Sequence, residues 1–294
     1  MLDREELKKI FSTVSTAIGK DAVFIEKDYY QTLMLQEIAK ISDKLVFKGG
    51  TSLSKCYGLI NRFSEDIDIS ATCKLTEGER RNIYHGIINA AVTIGLSFPD
   101  DSKTKSKRLY NKFVFEYDSV ITETKLSLII ETNYNVPVYP VAMTEIPNFV
   151  SLFFINKSVD LPADLELHPL VMNVQQPIRT LIDKLFALCD YYMKGEQAGH
   201  SRHLYDVHCL YRNIRINQEF IDLFKKVREE RASSKMNPSA NADVDFKSVF
   251  KKVINDDIYR KDYESITKIL LYEKCEYEDV QESLINILHN LKID

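Results

Sequence analysis

Residues 4–18 and 25–41 repeat apolar side chains at helical spacing and predict two amphipathic helices. Leu45-Val46-Phe47 reads as a short buried strand, Gly50 to Tyr57 as a helix behind a glycine turn, and Asp66 to Ser70 as a second strand. Thr76 can cap a helix running from Glu77 to about Gly95, with Glu79 at the capping-box position. The polar stretch Pro99 to Arg108 predicts a loop, and segments 109–118, 124–133 and 136–143 read as strands. In the second of these, Leu126, Leu128 and Ile130 form one face, while Glu131 shares the other with Lys125, Ser127, Ile129 and Asn133. Past about residue 170 the pattern becomes helical: Ile178, Leu181, Ile182, Leu185, Phe186 and Cys189 recur at helical spacing, and a second helix spans Ser201 to Arg212. Residues 231–242 are small, polar and unpatterned and predict a mobile loop, after which helices resume from 245 to 292. The order predicts an α/β (α+β) chain: a small mixed β-sheet with helices on one face over residues 1–170, then an α-helical domain over 171–294.

Composition narrows the class. The 294 residues are 45% hydrophobic and 28% charged, enough for a substantial core in a soluble protein. No run of eighteen apolar residues predicts a membrane span, and the charged start Met1-Leu2-Asp3-Arg4-Glu5-Glu6 does not read as a secretory signal. The five cysteines, Cys56, Cys73, Cys189, Cys209 and Cys275, show no C-x-x-C spacing, which points to reduced thiols in the cytoplasm. A net charge of −4 gives no global sign of nucleic-acid binding, so any such contact needs a local patch.

The sharpest chemistry lies in Lys48-Gly49-Gly50-Thr51-Ser52 and Ser64-Glu65-Asp66-Ile67-Asp68. Strand alternation points Asp66 and Asp68 to one face. Two adjacent carboxylates repel unless a cation sits between them, and Mg²⁺ takes carboxylate oxygens together with substrate phosphates. Glycines at a helix start let backbone N–H groups approach an anion closely. The combination reads as a site for a nucleoside triphosphate and its metal. Glu131 is the candidate third carboxylate, with Asp118 and Glu116 as rivals.

The strings Phe47-Lys48-Gly49-Gly50-Thr51-Ser52-Leu53-Ser54-Lys55 and Arg62-Phe63-Ser64-Glu65-Asp66-Ile67-Asp68 resemble the AbiEii-type toxin nucleotidyltransferases, a family of the DNA polymerase β-like superfamily. The fifteen residues between Gly50 and Asp66 are slightly more than in many superfamily members. The resemblance runs from about Ile25 to Leu210 and marks the first domain as a nucleotidyltransferase domain. It also implies a downstream lysine and aspartate, matched here by Lys184 in Gln176–Leu188 and Asp206 in Arg202–Val207. By that resemblance Lys184 binds triphosphate oxygens, and Asp206 is a general base or an anchor for Lys184. On periodicity alone, Lys184 is a surface lysine and Asp206 a solvated residue opposite Leu204 and Val207. Lys48, Gly49, Gly50, Thr51, Ser52 and Ser64 complete the expected nucleotide site; Thr51 and Ser52 can equally serve as helix caps. Lys48, Lys55 and Arg62 add positive charge that sequence alone does not rank. Glu26-Lys27-Asp28-Tyr29 also resembles a family word and is expected to serve packing.

Other features carry plainer readings. His200, His203 and His208 lack a Cys/His partner set and read as helix-surface or capping residues. Lys103, Lys105, Lys107 and Arg108 can track a phosphate backbone or form a solvated loop. The expected function is therefore a Mg²⁺-dependent nucleotidyltransferase using a nucleoside triphosphate. The resemblance implies a bacterial toxin with a cognate antitoxin or a phage-defence role, acting on an RNA, with the 3′ end of tRNA favoured, or on a protein hydroxyl. A catalytically silent NTP-binding protein would keep the glycine turn without needing Lys184 or Asp206. A metal-dependent nuclease would use the acids without the triphosphate pocket.

Overall fold

The structure, a computed structural model, describes residues 2–62, 64, 66–98 and 105–293, so Lys103 of the basic run lies outside the described residues. The chain folds as two compact units, Met1–Cys56 with Glu65–Val174, and Tyr57–Ser64 with Gln175–Asp294.

The first unit opens with α1 (Arg4–Ile18), which starts at an Asp3–Glu6 capping box and buries Leu7, Phe11 and Val14. Helix α2 (Ala22–Ile41) differs from the amphipathic expectation. It is buried nearly all round, and its charged residues are used inside the unit. Glu26 accepts from Ser119 Oγ at 2.5 Å and from the Val120 N–H at 2.7 Å. Asp28 pairs with Lys55 and accepts from the Phe149 N–H at 2.9 Å. Tyr29 donates to the Leu165 carbonyl at 3.1 Å. Such partners are what make buried polar groups tolerable, and they give the Glu26–Tyr29 word its packing role.

Seven strands form one mixed sheet: β1 (Leu45–Lys48), β2 (Asp66–Ala71), β3 (Lys105–Lys107), β4 (Tyr110–Asp118), β5 (Lys125–Asn133), β6 (Val141–Glu145) and β7 (Val171–Gln175), in the order β3-β4-β5-β2-β1-β7-β6. β1 runs antiparallel to β2 and parallel to β7, and β2 runs parallel to β5. Helix α3 (Gly49–Lys55) joins β1 towards β2, and α4 (Glu77–Thr93) starts at the Thr76–Glu79 capping box that the sequence marks. Three differences from the sequence reading stand out. Lys105–Lys107 is an edge strand rather than loop. Residues 136–140 stay outside the strand that begins at Val141. Helix α5 (Phe149–Asn156) falls where the sequence reading assigns no element, and strand β7 falls where it expects helix.

The second unit is helical, with α6 (Pro177–Lys194), α7 (Arg202–Tyr211), α8 (Gln218–Ala232), α9 (Phe246–Asn255) and the C-terminal helix Tyr277–Asn290. Phe186 stacks on Phe224 at 4.7 Å and meets Phe246 at 5.0 Å in its core. Sequence order assigns residues 57–64 to the first domain; here they are fastened into the helical unit. The Tyr272 N–H donates to the Asn61 carbonyl at 3.1 Å, the Asn61 N–H donates to Tyr205 Oη at 3.3 Å, and Arg62 bridges to Leu271. The expected mobile loop at 231–242 is also corrected. Ser239 is fully buried and donates through N–H and Oγ to Asp190 Oδ1 at 2.9 and 2.7 Å, while Arg231 holds Asp190 Oδ2 at 2.9 Å. A polar segment is fixed here by hydrogen bonds, which apolar periodicity does not register.

Candidate functional site

In the first unit, β2 alternates. Ile67 and Ile69 enter the core, and Asp66 and Asp68 stay half-buried on the opposite face. β5 follows the same rule, with Leu128 and Ile130 buried and Glu131 on the carboxylate face. Parallel pairing sets Asp68 directly opposite Glu131, so the three acids share one face of two neighbouring strands. Gly49 faces this group. Its φ is +79°, and a Cβ placed on it would collide with Asp68 Oδ2. The space that a side chain at position 49 would fill is taken by the chain's own Asp68 carboxylate.

The hydroxyls beside it point inward. Thr51 Oγ1 donates to the Asp66 carbonyl at 2.5 Å, fastening α3 to β2, and Ser52 Oγ donates to the Gly49 carbonyl at 2.9 Å within the first turn of α3. In this arrangement they tie the turn together. Glu131 has a counter-charge, since Lys112 on β4 sits opposite it and its Nζ lies 2.9 Å from the carboxylate. Tyr110, two residues earlier on β4, is pushed up in pKa by burial, then by the charge and hydrogen bond of Glu131 and the charges of Asp68 and Asp66. One phenol thus senses all three acids. Among the described residues, no three His, Cys, Asp or Glu side chains are gathered as a complete metal-ligand set. The Asp66–Asp68 pair offers an oxygen-only donor set that fits a hard divalent ion completed by water and phosphate oxygens. Glu131 shares that face beside Asp68 and is paired with Lys112.

The second unit contains a separate charged cluster. Arg62 grips fully buried Asp206 with two bonds, Nε–Oδ1 and Nη2–Oδ2, both 2.7 Å. Lys184 Nζ lies 2.6 Å from Asp206 Oδ2 and 3.3 Å from His203 Nδ1. Burial alone would raise the Asp206 pKa, but the charges of Arg62 and then Lys184 outweigh it and hold the carboxyl well below its usual range. Burial, reinforced by Lys184, drives His203 well below its ordinary value, so the ring is neutral and its Nδ1 accepts from the ammonium. Two cations on one carboxylate leave one formal positive charge in the cluster. Asp206 is thereby a buried anchor rather than the solvated residue its helix position suggested, and a carboxylate so stabilised is a poor general base. His203 is a support for Lys184 rather than a surface residue, and its ring lies parallel to Tyr191 at 6.0 Å.

A family model described as "Nucleotidyl transferase AbiEii toxin, Type IV TA system" matches residues 33–283. The chain belongs to this family. It is an AbiEii-type nucleotidyltransferase, which brings a nucleoside triphosphate substrate and an antitoxin partner with it. Among solved structures, it is similar to MenT4, a nucleotidyltransferase toxin from Mycobacterium tuberculosis H37Rv. The two share 15% identity over 100% of this chain and 91% of that one, with a TM-score of 0.53, a likeness of fold. It is also similar to JHP933 from Helicobacter pylori, at 18% identity over 92% of this chain and 90% of that one, with a TM-score of 0.48. No curated protein sequence matches the chain.

The AbiEii site expected from sequence falls into two sets. Lys48, Gly49, Gly50, Thr51, Ser52, Asp66, Asp68 and Glu131 belong to the first unit; Ser64, Lys184 and Asp206 belong to the second. The unranked cations are now ranked, because Lys55 is committed to Asp28 and Arg62 to Asp206. Of the rivals to Glu131, Glu116 lies opposite Ser127 and Asp118 opposite Lys125, towards the far end of β5 from Asp68. Lys112 and Tyr110 escaped the sequence reading, although strand alternation placed both on one face of 109–118. Arg62 as the partner of Asp206 carried no local signal, since 144 positions separate them.

Proposed function

We propose that this AbiEii-family chain is a Mg²⁺-dependent enzyme that transfers a nucleoside monophosphate from a nucleoside triphosphate to an RNA, with the 3′ end of tRNA as the favoured acceptor. The observation that carries the reading is the common face of Asp66 and Asp68, packed against a left-handed Gly49 that admits no side chain. Asp66 and Asp68 would hold the ion, whose charge would offset the developing charge on the phosphates. Lys48 and the backbone of Gly49 and Gly50 would meet the triphosphate. Lys184, whose ammonium is held by Asp206 and His203, would meet a phosphate oxygen, as the family resemblance implies. Asp206 would act through Lys184 and Arg62 by holding both cations in place. Ser64 would stand beside the acidic pair, as its place in the sequence motif implies.

Incubating the protein with each labelled NTP, Mg²⁺ and total RNA tests the proposal. Label in tRNA-sized RNA is expected. Label only in the protein would move the acceptor to a protein hydroxyl, and absence of any transfer would favour a silent NTP-binding protein.

A further inference from the structure

One face of the sheet carries a row of charged side chains across five strands. Lys105 on β3 lies opposite Lys112 on β4, Lys112 opposite Glu131 on β5, Glu131 opposite Asp68 on β2, and Asp68 opposite Lys48 on β1. Directly paired residues point to the same side of a sheet, so all five share one face. Lys107 opposite Tyr110 begins a second row beside it. β3 is the outermost strand, and all three of its residues are exposed. Among the described residues, neither Lys105 nor Lys107 has an ion-pair partner. The row is positive at the open edge and negative where the acids begin, with Lys112 and its bond to Glu131 at the boundary. Strands lie about 4.8 Å apart, so three steps from Lys105 to Asp68 cover roughly 14 Å.

A chain of net charge −4 with an acidic centre repels a polyanion unless a local positive strip offsets that field. A single hydroxyl on a peptide acceptor would need no such strip. We infer that the β3–β4 edge, through Lys105 and Lys107, seats the phosphate backbone of the acceptor RNA and leads its end along the row to Asp66 and Asp68. This rests on the RNA reading of the acceptor given above.

Two double charge reversals separate the local effect from the net-charge effect. Lys105→Glu with Lys107→Glu alters the strip, and Lys251→Glu with Lys252→Glu makes the same change of charge on exposed positions of α9. Binding of a tRNA pool is measured against salt for wild type and both variants, alongside label transfer from NTP and NTP binding. The strip variant should bind RNA at least about tenfold more weakly. Its log-affinity slope against log-salt should be shallower by about 1.4, the value for two lost phosphate contacts on a single strand. NTP binding should be unchanged, and the α9 variant should stay within about twofold of wild type. If wild type labels RNA but the strip variant binds it as well as the α9 variant does, the inference fails and the RNA reading stands. If wild type labels no RNA, that reading fails and takes the inference with it.

Discussion

Gly49 and Asp68 constrain each other in the first unit. A left-handed backbone and the close approach of Asp68 Oδ2 both exclude a side chain at position 49. Gly49→Ala should therefore cost at least about 1–3 kcal/mol in backbone strain alone and should displace Asp68. Denaturant unfolding reads the first effect, and weakened Mn²⁺ binding by calorimetry reads the second; an Ala variant with native stability and native metal affinity would refute the packing argument. Asp206 sets the matching constraint in the second unit. Asp206→Asn leaves Arg62 and Lys184 buried without their carboxylate and should cost about 3–5 kcal/mol. Replacing Arg62, Lys184 and Asp206 together by Met, Met and Leu should recover much of that loss. The pH dependence follows from the direction of the Asp206 shift. Its folded pKa lies below the unfolded value of about 3.9. Its contribution is therefore complete above that value and is lost as pH falls towards the lower folded pKa. Urea unfolding between pH 6 and pH 3 should show a steeper acid loss in wild type than in the triple variant.

At the scale of elements, the legible parts were those whose signal is local. The Thr76–Glu79 box starts α4, the β1–turn–α3–β2 order is as read, and alternation in 125–133 places Glu131 opposite the buried Leu128 and Ile130. What escaped depends on partners distant in sequence. Lys105-Ser106-Lys107 has no apolar period and becomes a strand because β4 pairs with it. The spacing of α2 predicts an amphipathic helix and gives no sign of what its buried charges meet, and Glu26 is matched by Ser119 and Val120, far along the chain. Residues 57–64 carry Arg62 into the helical unit through bonds to Tyr205 and Tyr272. The 231–242 segment gives a direct check on this view. Ser239→Ala removes a buried hydroxyl bond to Asp190, a charge-assisted contact worth about 1.5–3 kcal/mol. A loss of that size, with faster amide exchange across 236–242, is expected; no change in either would return the segment to the status of a loose loop.

At the scale of the whole molecule, the AbiEii family assignment and the carboxylate face of the sheet converge on nucleotidyl transfer. No helix among the described residues is long and apolar enough to cross a membrane. The two units divide the expected residues, so a fold-preserving change in one carboxylate isolates the carboxylate face from the Arg62–Lys184–Asp206 cluster. The most direct measurement is transfer of labelled nucleotide to RNA by Asp68→Asn, made on protein whose melting temperature and far-ultraviolet circular dichroism match wild type. Loss of metal clamping should cost several kcal/mol of transition-state stabilisation. At about 1.4 kcal/mol per decade, transfer should fall at least about a thousandfold. Transfer near the wild-type rate by the folded variant would contradict the account.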